Sequence, residues 1–371
     1  MKPNLAIPKV DRRDPTPKYI QAREILIDAI RSGQLAPGAK LPSTKEISSL
    51  FNVSLITAHR AMEGLVESGW LRREVGRGTF VRDDIDPTRP TLPSLVIGLL
   101  LPDQDRVNLD DYYHSSIINS LRRAAVGDTK RVEFFFHDRF EVRDRRRENV
   151  GAICMHPPLE AQRSVEKLAQ RCPVVVLGGS FPEAQVPCVD CDNEQGARLA
   201  AQHLHELGHR RFLLVAGPLN LSNAADRVTG ARAELAEQGI ELSPRDLVVS
   251  TDSVVLDDAA RTRIEARLRE RPRPTAIIAG GFYLALATMQ AIRRCGLEIP
   301  RDVSIVGFDD PASAALLDPP LTTVRQPLEE MAARAYRVVC DAVLEHQTEA
   351  MLHRLSTTLV VRGSSGPVGE E

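Results

Sequence analysis

Residues 37–81 read PGAKLPSTKEISSLFNVSLITAHRAMEGLVESGWLRREVGRGTFV. Ser43 to Glu46 form a capping box: the Ser43 hydroxyl can accept from the free N–H groups of a first helical turn, and the Glu46 carboxylate can reach back. Ile47, Leu50 and Phe51 then line one apolar face, and Asn52 and Val53 turn the chain. Ser54 caps a second helix, whose inward side is expected at Ile56 or Thr57, Ala61, Leu65 and Val66. Leu71 to Val81 follow as two strands around the tip Gly76-Arg77-Gly78. Two capped helices in tandem with a basic hairpin make a device for entering a DNA groove. The competing description, a three-helix bundle with a hairpin and no DNA role, is the weaker one.

Several pieces in order carry a resemblance: Pro17-Lys18-Tyr19, Ile30 to Gly33, Pro37-Gly38, Leu41-Pro42-Ser43, Val53-Ser54 and Gly76 to Val81. Over residues 15–82 the chain resembles the winged-helix head of the GntR family of bacterial regulators. The resemblance implies operator DNA as a partner. It assigns contacts to Lys45, Ser54, Thr57, His59, Arg60, Arg72, Gly76, Arg77, Gly78 and Thr79, with phosphate held by Lys45, Arg60, Arg72 and Arg77. One departure stands out. The arginines usual in the recognition helix are Leu55 and His59 here, so base reading is expected to rest on Thr57, His59 and Arg60.

Working outward, Tyr19 to Arg31 reads as a helix with Ile20, Ile25, Leu26, Ala29 and Ile30 facing the core of the head, ended by Gly33. Residues 1–14 are polar and read as a flexible arm, 15–83 as the winged helix, and 84–93, with three prolines, as a linker. Charge is distributed unevenly. Residues 1–84 carry 14 Lys+Arg against 10 Asp+Glu, and the remainder 34 against 40, so a net +4 head precedes a net −6 body. That suits a protein touching phosphate at one end. No apolar leader or membrane-length apolar run is present, and a cytoplasmic protein is expected.

From Leu95 the pattern becomes strands that are apolar throughout, alternating with amphipathic helices. Strands are expected at 95–101, 132–136, 151–155, 174–177, 186–189, 212–216, 247–249, 276–279 and 303–306. Helices are expected at 112–126, 159–170, 193–207, 224–238, 257–270, 283–294 and 327–345. Such alternation means parallel sheets covered on both faces. The strands are too many for one sheet. The expected fold is α/β, an N-terminal winged helix-turn-helix followed over 94–364 by two doubly wound lobes, with a cleft at the carboxyl ends of the strands and a tail at 365–371.

Val189 to Asn193 with Gly196, Leu207-Gly208-His209, Asp226-Arg227 with Gly230, Ile299 to Ser304, Gly307 to Asp310, Pro320 to Val324 with Gln326-Pro327, and Arg362 to Ser364 form a second signature. It resembles the effector-binding core of LacI/GalR repressors, which shares its fold with periplasmic sugar-binding proteins. A GntR-type head on such a body is similar to regulators of the arabinose-repressor type. The resemblance implies a small-molecule effector, a homodimer and no cofactor. It makes Arg227 the cleft arginine, whose planar fork suits vicinal hydroxyls or a carboxylate. Tyr112 and Tyr113 stand where aromatics follow the first strand, either stacking on a ligand or packing in the core. Asp309 ends a buried strand toward the cleft or the hinge. Where the family usually has Asn-Asp after strand 276–279, this chain has Gly281 and Phe282. Phe282 is expected as an apolar wall opposite Arg227. The ligand is then not a simple sugar, or stacking replaces hydrogen bonding, or the cleft has lost ligand control.

The six cysteines include Cys188-x-x-Cys191, and thirteen residues intervene before His205, with three more separating it from His209. This spacing approaches that of a zinc site. The segment between the pairs reads instead as an ordinary strand and amphipathic helix, so no metal or redox pair is expected. A transport-type binding protein is excluded by the DNA-binding head. An aminotransferase-like enzyme body requires a late Schiff-base lysine, but beyond residue 84 the lysines are Lys130 and Lys167.

Overall fold

The computed structural model describes residue 10 and residues 18–67, 69–74, 76–84, 95–100, 111–126, 132–137, 150–181, 185–345 and 350–369. The expected linker at 84–93 apart from Asp84, all of the arm except Val10, and the last two tail residues lie outside this set. The chain divides into two compact units, Met1–Thr91 and Leu92–Glu371.

The first unit holds helices α1 (Lys18–Arg31), α2 (Thr44–Phe51) and α3 (Leu55–Glu67), then an antiparallel hairpin of β1 (Leu71–Glu74) and β2 (Gly78–Val81). Its core gathers Leu26, Ile30, Leu35, Ile47, Phe51, Ala58, Ala61, Met62, Leu65 and Val81. The inward face of α3 is therefore Ala58, Ala61, Met62 and Leu65. Of the two alternatives expected at the start of that face, Ile56 is 80% exposed and Thr57 is half-buried. The apolar period starts four residues after the cap at Ser54, and Ile56 falls outside it.

Among the described residues, the second unit builds two six-stranded sheets. Its first stretch supplies β3 (Leu95–Leu100), α4 (Tyr112–Val126), β4 (Val132–His137), β5 (Val150–Met155), α5 (Gln162–Ala169), β6 (Val174–Leu177) and β7 (Cys188–Cys191). The next supplies α6 (Asn193–Glu206), β8 (Phe212–Ala216), α7 (Ser222–Glu237), β9 (Leu247–Val249), α8 (Asp258–Arg269), β10 (Ala276–Ala279), α9 (Phe282–Arg294), β11 (Ser304–Phe308) and β12 (Thr322–Arg325). Then come α10 (Leu328–Glu345), β13 (Leu352–Leu355) and β14 (Thr358–Val360). The sheet orders are β13-β7-β6-β5-β3-β4 and β14-β12-β11-β10-β8-β9. Each neighbouring pair is parallel except β12 with β14. Strands such as Val174–Leu177 and Ala276–Ala279 are buried along their whole length, as a sheet covered on both faces requires.

The chain passes between the lobes three times, at Asp192, at Gln326-Pro327 and at Ser356-Thr357. These crossings are tied to one another. Asp192 N–H donates to Leu355 O at 2.7 Å, Thr357 donates to Gln195 Oε1 through its N–H at 3.0 Å and its hydroxyl at 2.6 Å, and the Cys191 thiol lies 3.0 Å from Gln326 Oε1. Beyond β14, Ser364 is buried against the second sheet: Thr322 N–H donates to its hydroxyl, which donates to Ile305 O.

Cys188 joins the apolar cluster on one face of the first sheet with Cys154 and Cys172, and Cys191 joins the cluster on the other face. Three residues apart on a strand, they point in opposite directions. The two thiols cannot grip one ion.

Candidate functional site

In the head, local capping sets the reading helix. Ser43 N–H donates to Glu46 Oε2 at 2.9 Å, and the Ser43 hydroxyl receives Glu46 N–H at 3.3 Å. Asn52 adopts the left-handed conformation (φ 53°, ψ 49°) that stops α2. Ser54 Oγ accepts from Thr57 N–H at 3.1 Å and lies 2.7 Å from the Thr57 hydroxyl. Both residues thus serve the start of α3. Lys45, His59 and Arg60 are exposed. His59 Nε2 lies 3.1 Å from a Glu63 carboxylate oxygen, and the Arg60 guanidinium stacks 4.1 Å over the Tyr19 ring.

The hairpin carries the other expected contacts. Arg72 pairs with Glu74 and with Asp83 and lies over the Phe80 ring, while Arg77 reaches Glu74 at 2.7 Å. Thr79 is half-buried opposite Arg73. Gly76 and Gly78 have φ of 73° and 122°. A side chain at residue 78 would start 2.9 Å from Lys40 Cε as well as straining the backbone. Gly78→Val is expected to place about 1–3 kcal/mol of strain on the hairpin, weakening operator binding while the body's thermal transition stays put. Anisotropy titration and a melt of the same sample check this, and full-strength DNA binding removes the hairpin from the interface.

In the body, the carboxyl ends of both sheets bring polar side chains together. Asp111 caps α4: its Oδ1 accepts from His114 N–H at 2.8 Å, and its Oδ2 lies 2.6 Å from His114 Nδ1. The Tyr113 ring stacks on His156 at 4.3 Å, with the His114 ring edge-on to both. His156 lies 2.9 Å from Asn223 Nδ2, which also donates to Gly178 O. Arg227 donates from Nε to Asn193 Oδ1 at 2.8 Å and from Nη1 to Gly280 O at 2.6 Å, with its guanidinium 3.9 Å over Phe308. Asp190 accepts from Cys191 N–H at 2.8 Å and from Asn193 Nδ2 at 3.0 Å. Asp309 has φ 69° and accepts from Gln326 at the second crossing. Tyr113 Oη and His114 Nε2 are buried and have no hydrogen-bond partner among the described residues. The small pocket that Arg227 lines with Ala216, Ala224, Ile278 and Phe308 is about 20 Å³, room for roughly one water.

Burial dominates the electrostatics. It pushes the Asp190 carboxyl up to about 7, partly offset by Arg227. Burial raises Asp309 too, again opposed first by Arg227. Burial drives His156 well below the usual imidazole value, helped by His114 and Arg227. For Asp190 the folded pKa exceeds the unfolded one, so its contribution is complete below about pH 4 and is lost as pH rises through about 7. His156 acts oppositely, its contribution disappearing as pH falls. Asp190→Asn is therefore expected to flatten the decline in stability between about pH 4 and 7, seen as the difference between variant and wild-type urea curves. An unchanged difference across that range would mean that Asp190 ionises freely.

Of the expected ligand residues, Arg227 and Asp309 enter this constellation. Tyr113 packs in the first lobe's core and stacks its ring on His156 of this constellation. Tyr112 is half-buried at a neighbouring groove of about 760 Å³ shared with Asp310 and Arg325, and its backbone N–H lies 3.4 Å from the Tyr283 hydroxyl. Phe282 differs from expectation. It is 6% exposed and belongs to the second lobe's apolar core. As the first residue of α9 it packs inward, and the next residue, Tyr283, is the one reaching the first lobe. Asp111, His114, His156, Asp190, Asn193 and Asn223 were not anticipated. The available signal was position, since each sits at a strand's carboxyl end or in the first turns of a helix there.

Residues 18–81 match the profile of bacterial regulatory proteins of the gntR family, and residues 201–365 match that of the periplasmic binding protein-like domain. The chain joins a GntR-type winged helix-turn-helix to a periplasmic-binding-protein-like body. It is a DNA-binding transcription regulator. The arabinose metabolism transcriptional repressor of Geobacillus stearothermophilus is 27% identical, with 94% of this chain and 98% of that one aligned. The regulator CelR of Thermobifida fusca is 36% identical over 51% of this chain and 56% of its own. Among solved structures, a CelR–cellobiose complex superposes with a TM-score of 0.62 at 22% identity, covering 87% of this chain and all of that one. That likeness concerns the fold.

Proposed function

We propose that this GntR-headed regulator represses from a two-fold operator as a homodimer and that a small polyhydroxylated molecule, held between the lobes, changes its DNA affinity. The observation that carries the effector is the polar constellation at the carboxyl ends of both sheets, where α/β folds bind ligands. It includes two buried polar atoms on the first lobe, Tyr113 Oη and His114 Nε2, that have no partner among the described residues. Arg227, Asn223 and Asp309 face them from the second. A ligand donating to and accepting from these groups would replace their present mutual contacts, and the two lobes would settle at a different angle about the three crossings. DNA affinity then shifts by the difference in ligand affinity between the two arrangements. A neighbour in fold that binds cellobiose, CelR, supports a sugar or sugar derivative. The protein acts by binding rather than turnover, in the cytoplasm; among the described residues no helix is long and apolar enough to cross a membrane.

Two measurements test this. Anisotropy titration of duplex DNA against salt should give a log–log slope that grows by about 0.9 for each phosphate contact, and Lys45→Ala should remove about one such unit. A flat salt dependence would sink the DNA assignment. Thermal shift with sugars, sugar acids and nucleosides should return a stabilising ligand that also alters operator affinity. If every ligand leaves stability and operator binding unchanged, the polar constellation is an internal lock and control is constitutive.

A further inference from the structure

We propose that Leu55 and Ile56 read thymine methyl groups in the major groove. This rests on the head's binding of duplex DNA. The two residues open α3, the second helix of the helix-turn-helix, and the amino-terminal residues of that helix are the ones that meet base edges. Leu55 is 56% exposed and Ile56 80%, whereas Ile20, Leu26, Ile30, Leu35, Leu41, Ile47, Leu65 and Leu71 of the head are buried. The cap fixes this phase: with Ser54 bonded to Thr57, the core takes Ala58, Ala61, Met62 and Leu65, and the first two side chains are left outside.

The polar side chains of the same helix are already engaged within the head. Thr57 is bonded to Ser54, His59 pairs with Glu63, and Arg60 lies on Tyr19. No arginine stands at the opening of α3 to grip guanine O6 and N7. In the major groove the feature that rewards an apolar side chain is the C5 methyl of thymine. The surroundings complement DNA. Lys45 on α2 and Arg73 and Arg77 on the hairpin are exposed and cationic, suited to the phosphates flanking a groove whose floor meets Leu55 and Ile56. Burying one methyl against such a side chain is worth about a fourfold gain in affinity.

The test uses the full chain. Duplexes are selected from a random pool, and thymines in the selected half-site are replaced singly by deoxyuridine, which removes the C5 methyl and keeps every hydrogen-bonding group. Wild-type affinity is expected to fall about fourfold at each contacted position. Leu55→Ser and Ile56→Ser, both at exposed sites that leave the head's core intact, should each lose the thymine preference at one contacted position, the double variant should lose it at both, and all should keep the wild-type salt slope. Uracil substitution that costs nothing at any position, or costs wild type and both variants alike, overturns the proposal. So does a selected half-site that contains no thymine. Loss of a protein contact in the variants with unchanged thymine sensitivity also overturns it, since the pair would then face protein. A chain that selects no duplex and shows no salt-dependent binding fails at the earlier step of DNA binding itself.

Discussion

Introducing a methyl group at Gly230 is expected to force α6 and α7 apart and to destabilise the body by about 3 kcal/mol or more. The two helices meet at this position backbone to backbone. A Cβ on residue 230 would lie 2.3 Å from the carbonyl oxygen of Glu194 and 2.7 Å from its Cα. Neither atom can rotate away, unlike the tip of a side chain. Around the contact, Ala197, Ala200, Ala201 and Ala231 are buried, so the approach depends on small residues on both helices. Overpacking of a rigid core costs about 1–3 kcal/mol when side chains can adjust, and here the obstacle is main chain. For a unit of this size the melting temperature of Gly230→Ala should drop by about 6–12 °C. The head's own DNA contacts are untouched, so residual operator binding at low temperature should keep its salt slope. A melting temperature within about 2 °C of wild type would show that α6 and α7 do not touch in this way.

Arg227→Ala should cost about 3 kcal/mol of body stability, and the loss should be larger at pH 8 than at pH 6. Arg227 is the cation that opposes the burial of both Asp190 and Asp309. It also ties Asn193 to the Gly280 carbonyl. Removing one partner from a buried charged network leaves the others uncompensated, at about 3–5 kcal/mol. Without the guanidinium the two carboxyls rise further. Below about pH 7 Asp190 is already protonated and suffers little; above it, the ionised form must sit in the fold with the weaker pull of Arg354 as the cation left to offset its burial. Arg227→Lys should recover only part of the loss, because an ammonium cannot hold the two acceptors with one planar fork. Urea titrations at the two pH values settle the point. A small loss that does not change with pH would make Arg227 a peripheral residue. With a ligand from the thermal-shift screen, the same variant should also lose one charge-assisted contact, tenfold to a hundredfold in affinity by calorimetry.

The sequence carried much of this fold in local form. Capping at Ser43 and Ser54, the turn at Asn52, and strands such as Val174–Leu177 depend on a few adjacent residues, and they are legible there. Three strands were not. Thr322–Arg325 has Thr at two of its four positions, Leu352–Leu355 alternates between exposed and half-buried residues, and Thr358–Val360 is three residues long. They are strands because distant neighbours pair with them, β13 with β7 and β14 with β12. The choice between Ile56 and Thr57 stayed open in the sequence for the reverse reason: apolarity favoured Ile56, but the cap at Ser54 sets a helix phase that leaves it outside. In the cleft, Arg227 and Asp309 were marked by their motif contexts. The His114, His156 and Asn223 group was unmarked, because residues far apart in the chain meet only once both sheets are built. Phe282 shows the limit of position alone, since its place after β10 predicted the cleft and its packing took it inward.

The three crossings give the chain an uneven modularity. A single cut in the segment before β3 releases the DNA-reading head as one uninterrupted stretch of sequence. Neither lobe can be released that way: each is assembled from separate stretches, and the last of them, running through β13 and β14 to Ser364, contributes to both sheets. Recombination can therefore exchange the head without interrupting the sequence of either lobe. A frameshift as late as residue 350, by contrast, removes a strand from each lobe at once.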